Sequence, residues 1–138
     1  MKLDLTMPAF KPLATALLIE DDEDIAYLLR LLLLREGLIV HMASNGRDAS
    51  EFIANSKATD IVLTDLMLPY VGGYELIAQI RDDRRWKEVP VIVLSGKVTE
   101  QDVVRALEAG ANDYVTKPYN PQELGARIRR HLKLRSIA

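Results

Sequence analysis

The sequence predicts an α/β protein, a parallel sheet with helices on both faces, and two observations carry that prediction. Short runs rich in branched apolar residues alternate five times with longer runs of helical period, and parallel strands need such helices as right-handed crossovers. Three of the short runs are also apolar without a break through their middles, as suits strands covered on both faces. At 138 residues the chain is one domain's worth, long enough to bury a substantial core.

Residues 1–14 hold Pro8 and Pro12 among scattered apolar residues with no sustained period, and read as a loose N-terminal extension to a domain spanning 15–138. The first strand is expected over 14–20 (ATALLIE) and the second over 38–43 (LIVHMA). Between them EDIAYLLRLLLLREG spaces Ile25, Leu28, Leu29 and Leu32 as one packing face and stops at Gly37. GRDASEFIANS offers Ala49, Phe52 and Ile53 as a second helix face, and the third strand follows over 60–65 (DIVLTD). YELIAQIRDD offers Leu76, Ile77 and Ile80. Ahead of the fourth strand (89–95, VPVIVLS), Arg81, Arg84, Arg85, Trp86 and Lys87 read as a solvated turn with Trp86 packed on the helix end, in preference to a docking patch. TEQDVVRALEAG opens with the capping-box spacing Thr99 to Asp102 and closes at Gly110. After a fifth strand at 113–117 (DYVTK), the last helix opens on an Asn120 cap with Pro121 at its first position. There is no internal repeat and no low-complexity tract.

Composition narrows the chemistry. The apolar fraction of 49% and charged fraction of 28% are those of a soluble globular protein. No apolar run approaches the roughly 18 residues of a membrane span, and no signal-peptide pattern opens the chain, so the expected location is the cytoplasm. With no cysteine and only His41 and His131, a bound metal is expected on oxygen ligands. A net charge of −2 offers no global attraction to nucleic acid or anionic membrane.

In open parallel sheets, ligands bind outside the carboxyl ends of the strands. Those ends carry Glu20, Asp21 and Asp22 after the first strand, Asp65 after the third, Ser95 after the fourth and Lys117 after the fifth. Converging carboxylates repel unless a cation sits among them or one takes up a proton, and a hard divalent ion such as Mg²⁺ suits such a site. Glu20 and Asp21 are therefore candidate metal ligands. Asp22, Glu23 and Asp24 need no function beyond the first turn of a helix, where its dipole favours acids. Asp65 is the candidate nucleophile, able to attack phosphorus and carry an acyl phosphate. Lys117 would offer a point charge to carboxylate or phosphoryl oxygens, and Ser95 a hydroxyl donor. Each of these residues alone reads as an ordinary turn, cap or surface residue; their joint placement at strand ends is what argues for a site.

LLIEDDEDI, DIVLTDLMLP, VIVLSG and DYVTKPY together resemble the receiver domain of two-component response regulators, over about residues 15 to 135. The resemblance implies a flavodoxin-like (βα)5 fold with strand order 2-1-3-4-5. It implies Mg²⁺, with Mn²⁺ as a substitute, on Glu20, Asp21, Asp65 and the backbone carbonyl of Met67. It implies a phospho-accepting Asp65, a phosphoryl-contacting Ser95 and Lys117, and Tyr114 as the aromatic that switches. The chain would then be a signalling domain and not an enzyme, at most phosphorylating itself from small donors and dephosphorylating itself. Its partners would be a sensor histidine kinase or histidine phosphotransfer protein, and an output domain or downstream protein on the face of the fourth helix, fifth strand and fifth helix. A homodimer through that face is left open, and neither nucleic acid nor membrane is expected as a direct partner. Gly96 stands where the family more often has alanine, and Met67, Tyr70 and Val71 are particular to the loop after Asp65.

Three rival functions fit less well. A Mg²⁺-dependent phosphatase using an aspartyl phosphate needs a second Asp two residues after the first, where this chain has Met67. Nucleotide-binding glycine loops are absent. A phosphorylation-independent pseudo-receiver would have no use for the full set of acids and lysine. Arg127, Arg129, Arg130, Lys133 and Arg135 cluster in the last helix and read as a solvated face before a DNA contact; His131 reads as a surface residue and His41 as a structural one. The chain's end at Ala138, directly after that helix, suggests a stand-alone receiver or one trimmed before an output domain.

Overall fold

Five parallel strands pair in the order β2-β1-β3-β4-β5 in the computed structural model, which describes residues 13–96 and 99–137. The strands are β1 (Thr15–Ile19), β2 (Ile39–Ala43), β3 (Ile61–Thr64), β4 (Val91–Ser95) and β5 (Asp113–Thr116). The helices between and after them are α1 (Glu23–Arg35), α2 (Gly46–Asn55), α3 (Gly73–Asp82), α4 (Glu100–Ala109) and α5 (Pro121–Ile137). Fold class and strand order are those expected; the strands are shorter than their apolar runs by a residue or two. The expected extension lies outside the described residues, except for Leu13 and Ala14.

Side-chain alternation divides the core in two. On one face of the sheet Leu17, Ile19, Val62, Val91 and Val93 pack under Ala49 and Ile53 of α2, Leu76, Ile77 and Ile80 of α3 and Ala106 of α4. On the other face Leu18, Ile61, Leu63, Ile92 and Leu94 pack under Leu29 and Leu33 of α1 and Leu124 and Ile128 of α5. Each fully buried branched side chain contributes about 1.5–3 kcal/mol of apolar transfer. The edge strand β2 is the exception, with Ile39, His41 and Met42 exposed, and His41 lies against Phe52 at 5.2 Å between centroids.

The expected helix starts are present. Asp22 Oδ1 accepts from the amides of Asp24 and Ile25, Thr99 Oγ1 from Asp102, and Asn120 Oδ1 from Gln122 and Glu123. The packing face of α1 is the expected one except at Leu28: Leu29 packs in the core with Ile25 and Leu32 half-buried against it, Leu33 joins them, and Leu28 is 59% exposed. Apolar residues fill every position from 31 to 34, so periodicity alone did not select the buried stripe.

The basic stretch from the end of α3 is solvated at Arg84, Arg85 and Lys87 with Trp86 packed inward as expected, but Arg81 and Arg85 are tied to backbone. Trp86 is fully buried, edge-on to Phe52 at 6.1 Å. Arg85 donates to the carbonyls of Ile53, Ala54 and Ser56, closing the end of α2. Arg81 donates to the carbonyls of Lys87, Val89 and Gly110 and to Asn112 Oδ1, which also accepts from the Val91 amide. Gly110 ends α4 with φ of 116°, and a Cβ there would lie 3.0 Å from the Arg81 side chain. On α5, Arg127 pairs with Asp113 and Glu123, and Arg129 with Glu36. His131 is not a surface residue: its side chain is 13% exposed and Nε2 lies 3.1 Å from Asp113 Oδ2. The side chain of Arg135 lies outside the described residues.

Candidate functional site

The strand order reverses between β1 and β3, and the register Ile19 to Thr64 puts the two residues that follow, Glu20 and Asp65, side by side at the open end of the sheet. One carboxylate oxygen from each of Glu20, Asp21 and Asp65 lies within 4.8 Å of the others. Lys117, just past β5, spans the end of β4 to place Nζ 2.6 Å from Glu20 Oε1 and 2.9 Å from Asp65 Oδ2. Asp65 Oδ1 accepts from the amides of Leu66 at 2.6 Å and Met67 at 3.2 Å, so both oxygens of this carboxylate are held.

Burial governs the electrostatics here. The Glu20 side chain is 2% exposed, and this burial raises its pKa above the ordinary carboxylate value although the Lys117 hydrogen bond works against it. Burial would lower the Lys117 pKa, but hydrogen bonds to Glu20 and Asp65 outweigh it and hold the ammonium above its usual value. Three carboxylates against one ammonium leave a formal charge of −2. A divalent cation would neutralise that remainder. The donor set, all oxygen and with Asp21 exposed, fits such an ion and leaves room for water.

The other expected site residues stand at different depths. Ser95 is buried at the end of β4, and its carbonyl accepts from the Lys117 amide at 2.9 Å. Tyr114, opposite Val93 in the sheet, is half-buried against the core under α2, α3 and α4, away from the carboxylate cluster. The Met67 side chain is 62% exposed. Sequence reading overlooked Gly73, where an added Cβ would lie 2.7 Å from Leu66 Cα, so that α3 starts hard against the backbone of the Asp65 segment. The adjacent glycines at 72 and 73 were the available signal.

Two concavities open beside the cluster. A cleft of about 490 Å³ touches Glu20, Asp21, Tyr27, Arg30, Met42 and Asp48. A larger groove of about 1210 Å³ runs from Lys117 between α1 and α5, along Ile25, Leu28, Leu32, Tyr119 and Pro121. No described helix is long and apolar enough to cross a membrane.

Residues 16–129 match the response regulator receiver domain. The chain is 37% identical over 139 residues to the alkaline phosphatase synthesis transcriptional regulatory protein SphR of Synechococcus elongatus, covering 95% of this chain and 53% of that protein. It therefore spans about half the length of that curated relative. A CheY-like receiver domain protein from Methanospirillum hungatei superposes with a TM-score of 0.82 at 28% identity, over 90% of this chain and 97% of that one. The receiver domain of a sensor histidine kinase from Pseudomonas aeruginosa, with a magnesium ion coordinated in its active site cleft, superposes at 0.79 with 28% identity, over 87% and 98%.

Proposed function

The chain belongs to the response regulator receiver-domain family, signalling domains of two-component systems, and on that premise we propose that it is a Mg²⁺-dependent phosphorylation switch centred on Asp65. The observation that carries this is the placement of Lys117 Nζ between Glu20 and Asp65, with three carboxylates grouped at the strand ends. Glu20, Asp21, Asp65 and the Met67 backbone carbonyl would hold the ion, Mg²⁺ or in its place Mn²⁺. The bound ion would offset negative charge on the transferring phosphoryl oxygens. An Asp65 oxygen attacks phosphorus of a phosphohistidine whose other ring nitrogen is protonated; the P–N bond breaks, its electron pair stays on the nitrogen so that neutral imidazole leaves, and an acyl phosphate remains on Asp65. Lys117 then pairs with one phosphoryl oxygen and Ser95 donates to another. Movement of Ser95 toward the phosphoryl group frees space for the Tyr114 ring, and the face of α4, β5 and α5 changes.

A sensor histidine kinase or a histidine phosphotransfer protein would supply the phosphoryl group in the cytoplasm. An output domain, a downstream protein or a second copy of the chain would read the switched face. The groove beside Lys117 supports docking of a donor helix, because its apolar wall ends where the phosphoryl group must arrive. Leu28→Arg should slow transfer from a phosphorylated histidine phosphotransfer protein about tenfold or more while leaving labelling by acetyl phosphate unchanged. Equal rates from the protein donor would remove the groove from the docking surface.

Intact mass after incubation with acetyl phosphate tests the switch itself. One phosphoryl adduct is expected with Mg²⁺, none with EDTA, and none in Asp65→Asn. Absence of the adduct under conditions that label an established receiver would replace this function with a phosphorylation-independent interaction module.

A further inference from the structure

The loop between Asp65 and α3 is closed on itself and fastened to α2. The Gly73 amide donates to the Leu66 carbonyl at 3.0 Å, joining the loop's two ends. At its middle, the Pro69 carbonyl accepts from the amide of Gly46, the first residue of α2, at 3.0 Å and from Val71 at 2.9 Å. Gly46 is buried, and a Cβ there would overlap the Val71 carbonyl oxygen and lie 2.8 Å from Val71 Cα. The obstruction is backbone, so a rotamer change cannot relieve it. Next to this contact Tyr70 adopts φ of 72°, a left-handed conformation costly for a residue with a bulky side chain. Its ring, on a residue 72% exposed, lies 4.3 Å under the Arg47 guanidinium. Burial therefore does not compensate the left-handed backbone; the fastening to Gly46 and Arg47 does.

We propose that this seam of Gly46 and Arg47 against Pro69, Tyr70 and Val71 is a positioning element for the metal site, fixing the direction of the Met67 backbone from the far side of the loop. It rests on the reading of Asp65 and Met67 given above. The Met67 amide already reaches Asp65 Oδ1, so the segment held by the seam is the one that carries both the acceptor and the carbonyl. Neither Gly46 nor Arg47 touches the reacting atoms. Their effect is on the concentration of Mg²⁺ that the site requires, because a carbonyl displaced by a few tenths of an ångström no longer meets the near-octahedral demand of the ion.

The test measures Mg²⁺ binding to the unphosphorylated chain directly, by titration calorimetry, and beside it the rate of labelling by acetyl phosphate as Mg²⁺ is raised; the midpoint is read from both and the plateau from the second. Gly46→Ala should raise the midpoint about tenfold or more, with the plateau within about twofold of the parent. Arg47→Ala, which introduces no clash and serves if the first variant does not fold, should raise it about two- to fivefold, the size of an exposed cation–π contact. Electrostatics alone predicts the opposite sign, since removing a positive charge from this end of the sheet favours the cation. A midpoint unchanged or lowered in Arg47→Ala, or a plateau that falls while the midpoint stays, overturns the positioning role. A parent chain that takes up no phosphoryl group at all would refute the switch on Asp65 instead, so the two failures are distinguishable.

Discussion

Lys117→Met is expected to destabilise the metal-free protein by about 2–4 kcal/mol and to make its stability depend far more steeply on Mg²⁺ than the parent's does. The ammonium is the one cationic side chain hydrogen-bonded to the carboxylates of Glu20 and Asp65 among the described residues, and Glu20 is almost completely buried. Methionine of similar length preserves the packing and removes the charge, leaving a buried carboxylate beside a second one. Glu20 can relieve that strain by taking up a proton, which its raised pKa already favours, and this sets the ceiling on the loss. A divalent ion neutralises the same oxygens, so its stabilising effect should grow when the lysine is gone. Urea unfolding in EDTA and in saturating Mg²⁺ measures both quantities. Equal Mg²⁺ responses in parent and variant would mean that the lysine and the ion do not compete for these oxygens.

Trp86→Ala should cost about 3–5 kcal/mol, a large part of the roughly 5–15 kcal/mol by which such domains are stable. The residue is fully buried in the cluster under α2 and α3 and meets Phe52 edge-on. Removing the indole empties a space bounded by two helices and the sheet, which cannot all close on it. The midpoint of urea unfolding should fall with little change in slope. Trp86→Phe, which keeps an aromatic partner for Phe52, should lose clearly less, and a loss of under about 1 kcal/mol in the alanine variant would show that the site collapses freely.

The sheet and the acidic cluster were legible in the sequence for one shared reason. In a parallel sheet each strand ends where its apolar run meets a polar residue, so Glu20, Asp65, Ser95 and Lys117 could be found by reading the ends of runs. Tyr114 was named through the family resemblance, and its place two register positions inside the strand end follows from pairing that sequence alone does not display. The exposed side of α1 was hidden because too many leucines occupy it. Arg81 and Arg85 were misjudged for a different reason: most of their partners are backbone carbonyls 6 to 32 positions away, and carbonyls have no signature in a sequence. The seam at Gly46 was equally silent, since the atoms that exclude a side chain there belong to a loop 25 positions downstream. The pairing of His131 with Asp113 joins a helix to a strand 18 residues earlier, beyond any local period.

The contacts of Arg81 have a mechanical consequence. They clamp the C-terminal end of α4, through Gly110 and Asn112, to α3 and to the chain entering β4. The opposite end of α4 begins a few residues after Ser95. A helix of ten residues fastened at one end is a lever about 15 Å long, and a swing of about 10° about that fulcrum carries its free tip nearly 3 Å. Leverage is thus greatest at the Glu100 end and vanishes at the clamp, so under the proposed switch a small pull at the end of β4 would be delivered as travel of one helix tip, not as a shift of the whole layer.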